Sequence, residues 1–121
     1  MGNQALLNQL LDRGFDAWRH TNNFVCFKFK VPHGKFRGKE LEIALQAPHF
    51  PRIPPTGPHI KPHLFPPKNG GQHPTGGIHN RNIPTNEFQY WSRPFRGWQP
   101  NMNIEDYLSF IRTLFDIPNE I

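Results

Sequence analysis

The stretch Phe24-Val25-Cys26-Phe27-Lys28-Phe29-Lys30-Val31 alternates from Val25 onward between bulky apolar side chains and small or charged ones. A period of two marks a half-buried strand, whose successive side chains point to opposite faces. Val25, Phe27, Phe29 and Val31 are predicted on one face, with Cys26, Lys28 and Lys30 on the other. After the turn signals Pro32-His33-Gly34 and Arg37-Gly38 the pattern returns, with Leu41, Ile43, Leu45 and Ala47 alternating with Glu40, Glu42 and Gln46. Two antiparallel strands joined by a loop follow, and the lysines of the first are expected to face the glutamates of the second.

Working outward, both ends of the chain read as helices. From Asn3 to Arg13, Leu6, Leu7, Leu10 and Leu11 recur at helical spacing, and Gly14 stands where a C-terminal cap belongs. Near the other end Asn103 is placed as an N-cap, with Glu105 and Asp106 in the first turn where the helix dipole favours acids. Ile104, Tyr107, Leu108, Ile111, Leu114 and Phe115 then form one apolar stripe that stops before Pro118. Between these lies Pro48 to Pro100, which holds every proline except Pro32 and Pro118. Proline fixes φ and removes a donor, so this zone is expected to be ordered, extended and loop-rich, with one short strand near His59 to Leu64. Its aromatic residues Phe50, Phe65, Phe88, Tyr90, Trp91, Phe95 and Trp98 need a core to pack in, which argues against a disordered linker. The resulting fold class is α+β.

With 121 residues the chain can build one modest core and not two. Its 11 phenylalanines must carry much of that core. The formal charge of +5 permits an acidic partner. Lys28, Lys30, Lys35, Arg37 and Lys39 are interleaved with strand positions and read as a solvated hairpin rather than a phosphate-tracking groove, so neither nucleic acid nor a membrane is expected as a partner. Cys26 is the single cysteine, which rules out an internal disulfide and a cysteine-rich zinc site. The start, Met1-Gly2-Asn3-Gln4-Ala5-Leu6, lacks the basic region and apolar run of a secretory signal, and Leu6 breaks the myristoylation pattern. A cytoplasmic location is expected.

The central zone carries four motifs in order: Phe50-Pro51-Arg52-Ile53-Pro54-Pro55, His73-Pro74-Thr75-Gly76-Gly77-Ile78-His79, Tyr90-Trp91-Ser92-Arg93-Pro94 and Trp98-Gln99-Pro100. In this order and spacing the chain resembles the ubiquitin-conjugating (UBC-like) superfamily, most of all its bacterial branch. The resemblance implies a single UBC-like domain over 1–121: N-terminal helix, antiparallel β-meander, proline-rich active-site segment and C-terminal helix. It implies as partners a ubiquitin-like protein, an adenylating activating enzyme and a JAB-type metallopeptidase, and it implies no cofactor.

Three departures from the family pattern bear on chemistry. His79 stands where the resemblance puts the thioester-forming cysteine, and imidazole makes no comparably durable acyl carrier. Thr75 replaces the asparagine associated with oxyanion stabilisation, leaving a hydroxyl donor. The chain stops after one helix, like the cysteine-less variants whose family role is to bind ubiquitin and assist a catalytic partner. Cys26 lies in a strand far upstream and does not restore the usual mechanism, although Lys28 and Lys30 on its face would favour a thiolate. The expected function is a UBC-like component of a bacterial ubiquitin-like conjugation or processing pathway that works without a cysteine thioester.

Several roles stay open for the remaining candidates. In the family the histidine of the His-Pro motif is structural, which gives His73, with Pro74, the task of organising the loop. His79 can organise the same loop, contact a bound tail or act as a general base. Ser92 or Thr75 could accept the acyl group as an oxyester if a neighbouring histidine took the proton, with Arg93 steadying negative charge. The plainer reading has Ser92 and Arg93 tying down the loop while Tyr90, Trp91 and Trp98 pack or bind. A different class, a small histidine-dependent metalloprotein or hydrolase, would use His59, His63, His73 and His79; their spacing fits no familiar zinc pattern, and no metal ligand is assigned.

Overall fold

A computed structural model describes residues 2–65, 78–80 and 84–117. The element order is α1 (Asn3–Asp12), β1 (Ala17–His20), a short 3-10 turn (Thr21–Asn23), β2 (Phe24–Lys30), β3 (Glu40–Leu45), β4 (His59–Lys61), β5 (Ile78–Asn80), β6 (Gln89–Trp91) and α2 (Ile104–Thr113). The strands form one six-stranded sheet in the order β1-β2-β3-β4-β6-β5, and every neighbouring pair is antiparallel. The architecture is α+β, as the sequence predicts.

The hairpin is as its alternation requires. Its register runs from Val25 opposite Leu45 to Lys30 opposite Glu40. Val25, Phe27, Phe29, Val31, Leu41, Ile43 and Leu45 enter the main core with Leu6 and Leu10 of α1 and Ile104, Tyr107, Leu108 and Ile111 of α2. Both helices therefore cover this face. The expected lysine and glutamate pairing holds in register, Lys28 opposite Glu42, but not as an ion pair. The Lys28 ammonium instead lies 3.6 Å from Asp16, and Glu42 is met by Lys61 at 3.9 Å.

Capping sets the helix ends. Gly14 has φ +85° and closes α1 with the hydrogen-bond pair of a Schellman motif, from Gly14 N to Leu11 O and from Phe15 N to Leu10 O. Phe15 then packs edge-on against Phe27 in the core. At α2 the Asn103 side chain accepts from Glu105 N while Asp106 accepts from Asn103 N, a capping box. The free N–H of Ile104 goes to Gln9 of α1 at 2.9 Å, and Arg13 meets Glu105 at 3.1 Å. The end of α1 thus holds the start of α2.

The proline-rich zone departs from expectation. It was expected to hold one short strand, but it supplies three, and two of them, β4 and β6, are interior to the sheet. Proline is accommodated because it sits just outside the strands: Pro58 precedes β4 and its carbonyl accepts from Trp91 N at 2.8 Å, while Pro62 follows. β1 was also unanticipated, since four residues of Ala-Trp-Arg-His carry no apolar alternation. The outer face of the sheet is not bare either. Phe24, Cys26, Ala44 and Phe88 form a second, smaller buried layer there, edged by Trp18.

Candidate functional site

One rung crosses the entire sheet. Trp18 is paired with Cys26, Cys26 with Ala44, Ala44 with His59, His59 with Tyr90, and Tyr90 with His79. His79 therefore shares a register position with Tyr90, two sequence candidates brought side by side by β5 and β6. Cys26 is four strand spacings from His79, about 19 Å at the usual separation. It cannot serve chemistry at His79.

The thiol itself is unsuited to catalysis. Cys26 is fully buried, and its pKa is pushed up from the ordinary 9.0 to about 12, first by burial and then by the Glu42 carboxylate, with only Lys61 opposing. This corrects the expectation that Lys28 and Lys30 favour a thiolate. Lys28 faces away to Asp16, and desolvation outweighs the remaining cation.

The Tyr90-to-Arg93 segment is built by close packing and main-chain hydrogen bonds. Trp91 is fully buried between Phe65 and Phe115, with ring centroids 5.8 and 5.3 Å away. Immediately after it, Arg93 N donates to Trp91 O at 2.8 Å, so Ser92 sits at the centre of a three-residue turn. The Arg93 guanidinium closes the turn by donating to Ser92 O at 2.7 Å. Beneath it lies Gly57, where an added Cβ would meet Trp91 O at 2.6 Å and Arg93 N at 3.0 Å. Only glycine allows this approach of two backbones. These contacts match the plainer role for Ser92 and Arg93, a loop tied to its own backbone. Among the described residues no histidine is hydrogen-bonded to the Ser92 hydroxyl.

The two other landmarks of the central zone meet nearby. The Trp98 indole donates to Pro51 O at 2.8 Å and its ring lies 5.9 Å from Phe50, so the Phe50-to-Pro55 turn and the Trp98 loop form one wall. Phe95 packs edge-on against Trp98, with centroids 5.2 Å apart, and stacks 6.3 Å from Tyr107. The Tyr107 hydroxyl donates to Thr56 O at 3.0 Å. Burial raises the pKa of this phenol above its ordinary value, with the neighbouring Tyr90 phenol adding to the rise, so it stays a neutral donor. Beside this wall a groove of about 570 Å³ runs between Pro94, Phe95 and Arg96 on one side and Ser109, Phe110 and Thr113 of α2 on the other.

Sequence reasoning missed the residue that organises the region most. Gln89 is fully buried, and a buried amide needs partners. Its Nε2 donates to Phe65 O at 2.8 Å, while its Oε1 accepts from the Trp91 indole at 3.1 Å and from Phe65 N at 3.4 Å. One side chain thus pins β6 to the chain as it heads for the His73 motif. The available signal was a lone amide within the aromatic run Phe88-Gln89-Tyr90-Trp91. His63 has a related role, its Nε2 lying 3.1 Å from both Asn86 O and Phe88 O. His59 is buried on the rung between Phe24 and Tyr90, with ring centroids 4.8 and 4.6 Å away.

His73, Pro74 and Thr75 lie outside the described residues. Among the described residues no three His, Cys, Asp or Glu side chains converge to hold a metal ion, and no helix is long and apolar enough to cross a membrane. Comparison with protein-family models, with curated proteins and with solved structures finds no match for the chain.

Proposed function

We propose that this protein is a UBC-like component of a bacterial ubiquitin-like conjugation or processing pathway, binding a ubiquitin-like protein and its activating enzyme without forming a cysteine thioester. The observation that carries the reading is the Trp98 to Pro51 hydrogen bond, which draws two motifs of the family resemblance into one wall next to the Ser92 turn. The element order supports it as well: a helix, antiparallel strands, a proline-rich zone with three short strands, and a second helix. The burial of Cys26 supports the absence of a thioester, because a thiol held protonated in the sheet is neither nucleophile nor accessible carrier.

Binding is the part of this reading open to direct measurement. Isotope-labelled protein titrated with a bacterial ubiquitin-like protein and its adenylating activating enzyme is expected to show saturable shifts at residues 50–55 and 90–98. Shifts confined to other surfaces, or none at saturating concentration, would remove the reading.

A further inference from the structure

We infer that His20 is an acid-released clasp: its neutral imidazole holds the β1–β2 connection closed, and a proton on Nδ1 opens it. The clasp uses no residue of the Ser92 turn and does not depend on the UBC-like reading.

The inference starts from one hydrogen bond. His20 ends β1 in extended backbone, and its Nδ1 accepts from Thr21 N at 2.8 Å. A backbone N–H can only donate, so the nitrogen facing it must present a lone pair. The ring in this cap is therefore neutral, with its proton on Nε2. A proton added at Nδ1 sets two donors head to head. The ring could then donate to Thr21 Oγ1, 3.0 Å away, but only by giving up Thr21 N. The bond lies at the surface, so a proton reaches it without prior unfolding.

What the clasp holds is a joint between three elements. The turn Thr21–Asn23 follows His20 directly, and Asn23 has φ +62°, a left-handed conformation that a residue other than glycine keeps only with support from its surroundings. Asn23 O accepts from Asn3 Nδ2 at 2.7 Å, and Asn3 Oδ1 in turn accepts from Ala47 N at 2.8 Å. The turn thus ties the start of α1 to the end of β3. The His20 ring also packs edge-on against Phe88, with centroids 6.1 Å apart, at the margin of the buried layer formed by Phe24, Cys26, Ala44 and Phe88.

The surroundings offer the extra proton little compensation. Among the described residues no carboxylate lies within ion-pair distance of His20. On β1 the neighbouring Arg19 reaches Gln4 of α1. From β2 the residue opposite is the uncharged Phe24, with Cys26 held protonated further along and His59 behind the Phe24 ring. From the segment before β6, Phe88 presents its ring, and Glu87 beside it is paired with Lys61. The bond is expected to be intact above the range in which histidine changes charge, about pH 5 to 8, and to be lost as pH falls through it.

Nitrogen NMR of the isotope-labelled full chain tests the clasp. At about pH 8 His20 is expected to carry its proton on Nε2 and a bare Nδ1. Protection of the Thr21 amide from hydrogen exchange, taken relative to the amides of β2, should fall about tenfold between about pH 8 and about pH 5. His20→Asn keeps an uncharged acceptor at the cap, and there the ratio should stay constant. His20→Phe keeps a ring against Phe88 without an acceptor, and should leave the Thr21 amide unprotected at both pH values. A proton on Nδ1 at about pH 8, a constant ratio in the wild type, or an equal fall in His20→Asn would overturn the inference. Should a variant fail to fold, the wild-type tautomer and ratio decide by themselves.

Discussion

The β2–β3 hairpin and the proline-rich zone build the same sheet by different means. The hairpin is long, and its alternation buries one face against two helices, so hydrophobic burial fixes its register along the whole ladder. β4, β5 and β6 are only three residues each, too short for alternation to specify much. Side-chain hydrogen bonds to the backbone take over there: Gln89 on Phe65, Trp98 on Pro51, Tyr107 on Thr56 and His63 on the carbonyls before β6. Short strands in a proline-rich chain can lie inside a sheet when side-chain hydrogen bonds to the backbone tie down the flanking loops. The two regions should therefore respond differently to polar and apolar substitutions.

The largest effect is expected at Trp91, which joins the two regions by filling the core between Phe65 and Phe115. Trp91→Ala should cost about 4 kcal/mol in denaturant unfolding. Gln89→Leu comes next, because it keeps the volume but removes the buried amide's hydrogen bonds to Phe65 and Trp91; a loss of about 3 kcal/mol is expected. The matched change in the hairpin, Lys28→Gln, removes an exposed ion pair and should cost no more than about 0.5 kcal/mol. Similar costs for Gln89→Leu and Lys28→Gln would break the contrast. Gly57→Ala should follow at about 2 kcal/mol, since the methyl meets the Trp91 carbonyl, with an accompanying shift in tryptophan fluorescence.

The smallest effect at ordinary pH belongs to Cys26. Its folded-state pKa is raised, so the unfolded chain releases the thiol proton first. The stability tied to keeping that thiol protonated is fully present below pH 9.0 and is lost as pH rises toward about 12. Unfolding midpoints followed through this range should fall more steeply in the wild type than in Cys26→Ala; parallel curves would show that the thiol is not buried as described.

The same contrast explains what was legible in the sequence. The hairpin, both helices, the Gly14 cap and the Asn103 cap follow from periodicity and local capping, signals that lie within a few residues of one another. Even the placement of Lys28 opposite Glu42 was readable, whereas its actual partner Asp16 was not, because choosing among exposed carboxylates depends on three-dimensional reach. The strands of the proline-rich zone depend on contacts such as Gln89 with Phe65, which leave no periodic trace. At the candidate site, the grouping of Tyr90, Trp91, Ser92 and Arg93 was legible as a motif. The turn that directs Arg93 onto Ser92 O, and the need for glycine at position 57 beneath it, emerge only from the approach of two backbones distant in sequence.

The central functional claim, ubiquitin-like binding without a cysteine thioester, is tested most directly by intact mass measurement after incubation with ATP, a bacterial ubiquitin-like protein and its adenylating activating enzyme. The expected result is a complex that separates under denaturing conditions and leaves the chain at its unmodified mass. A covalent adduct that thiol reductant releases and Cys26→Ala abolishes would contradict the claim, whereas a reductant-resistant adduct lost in Ser92→Ala would replace simple binding with oxyester transfer.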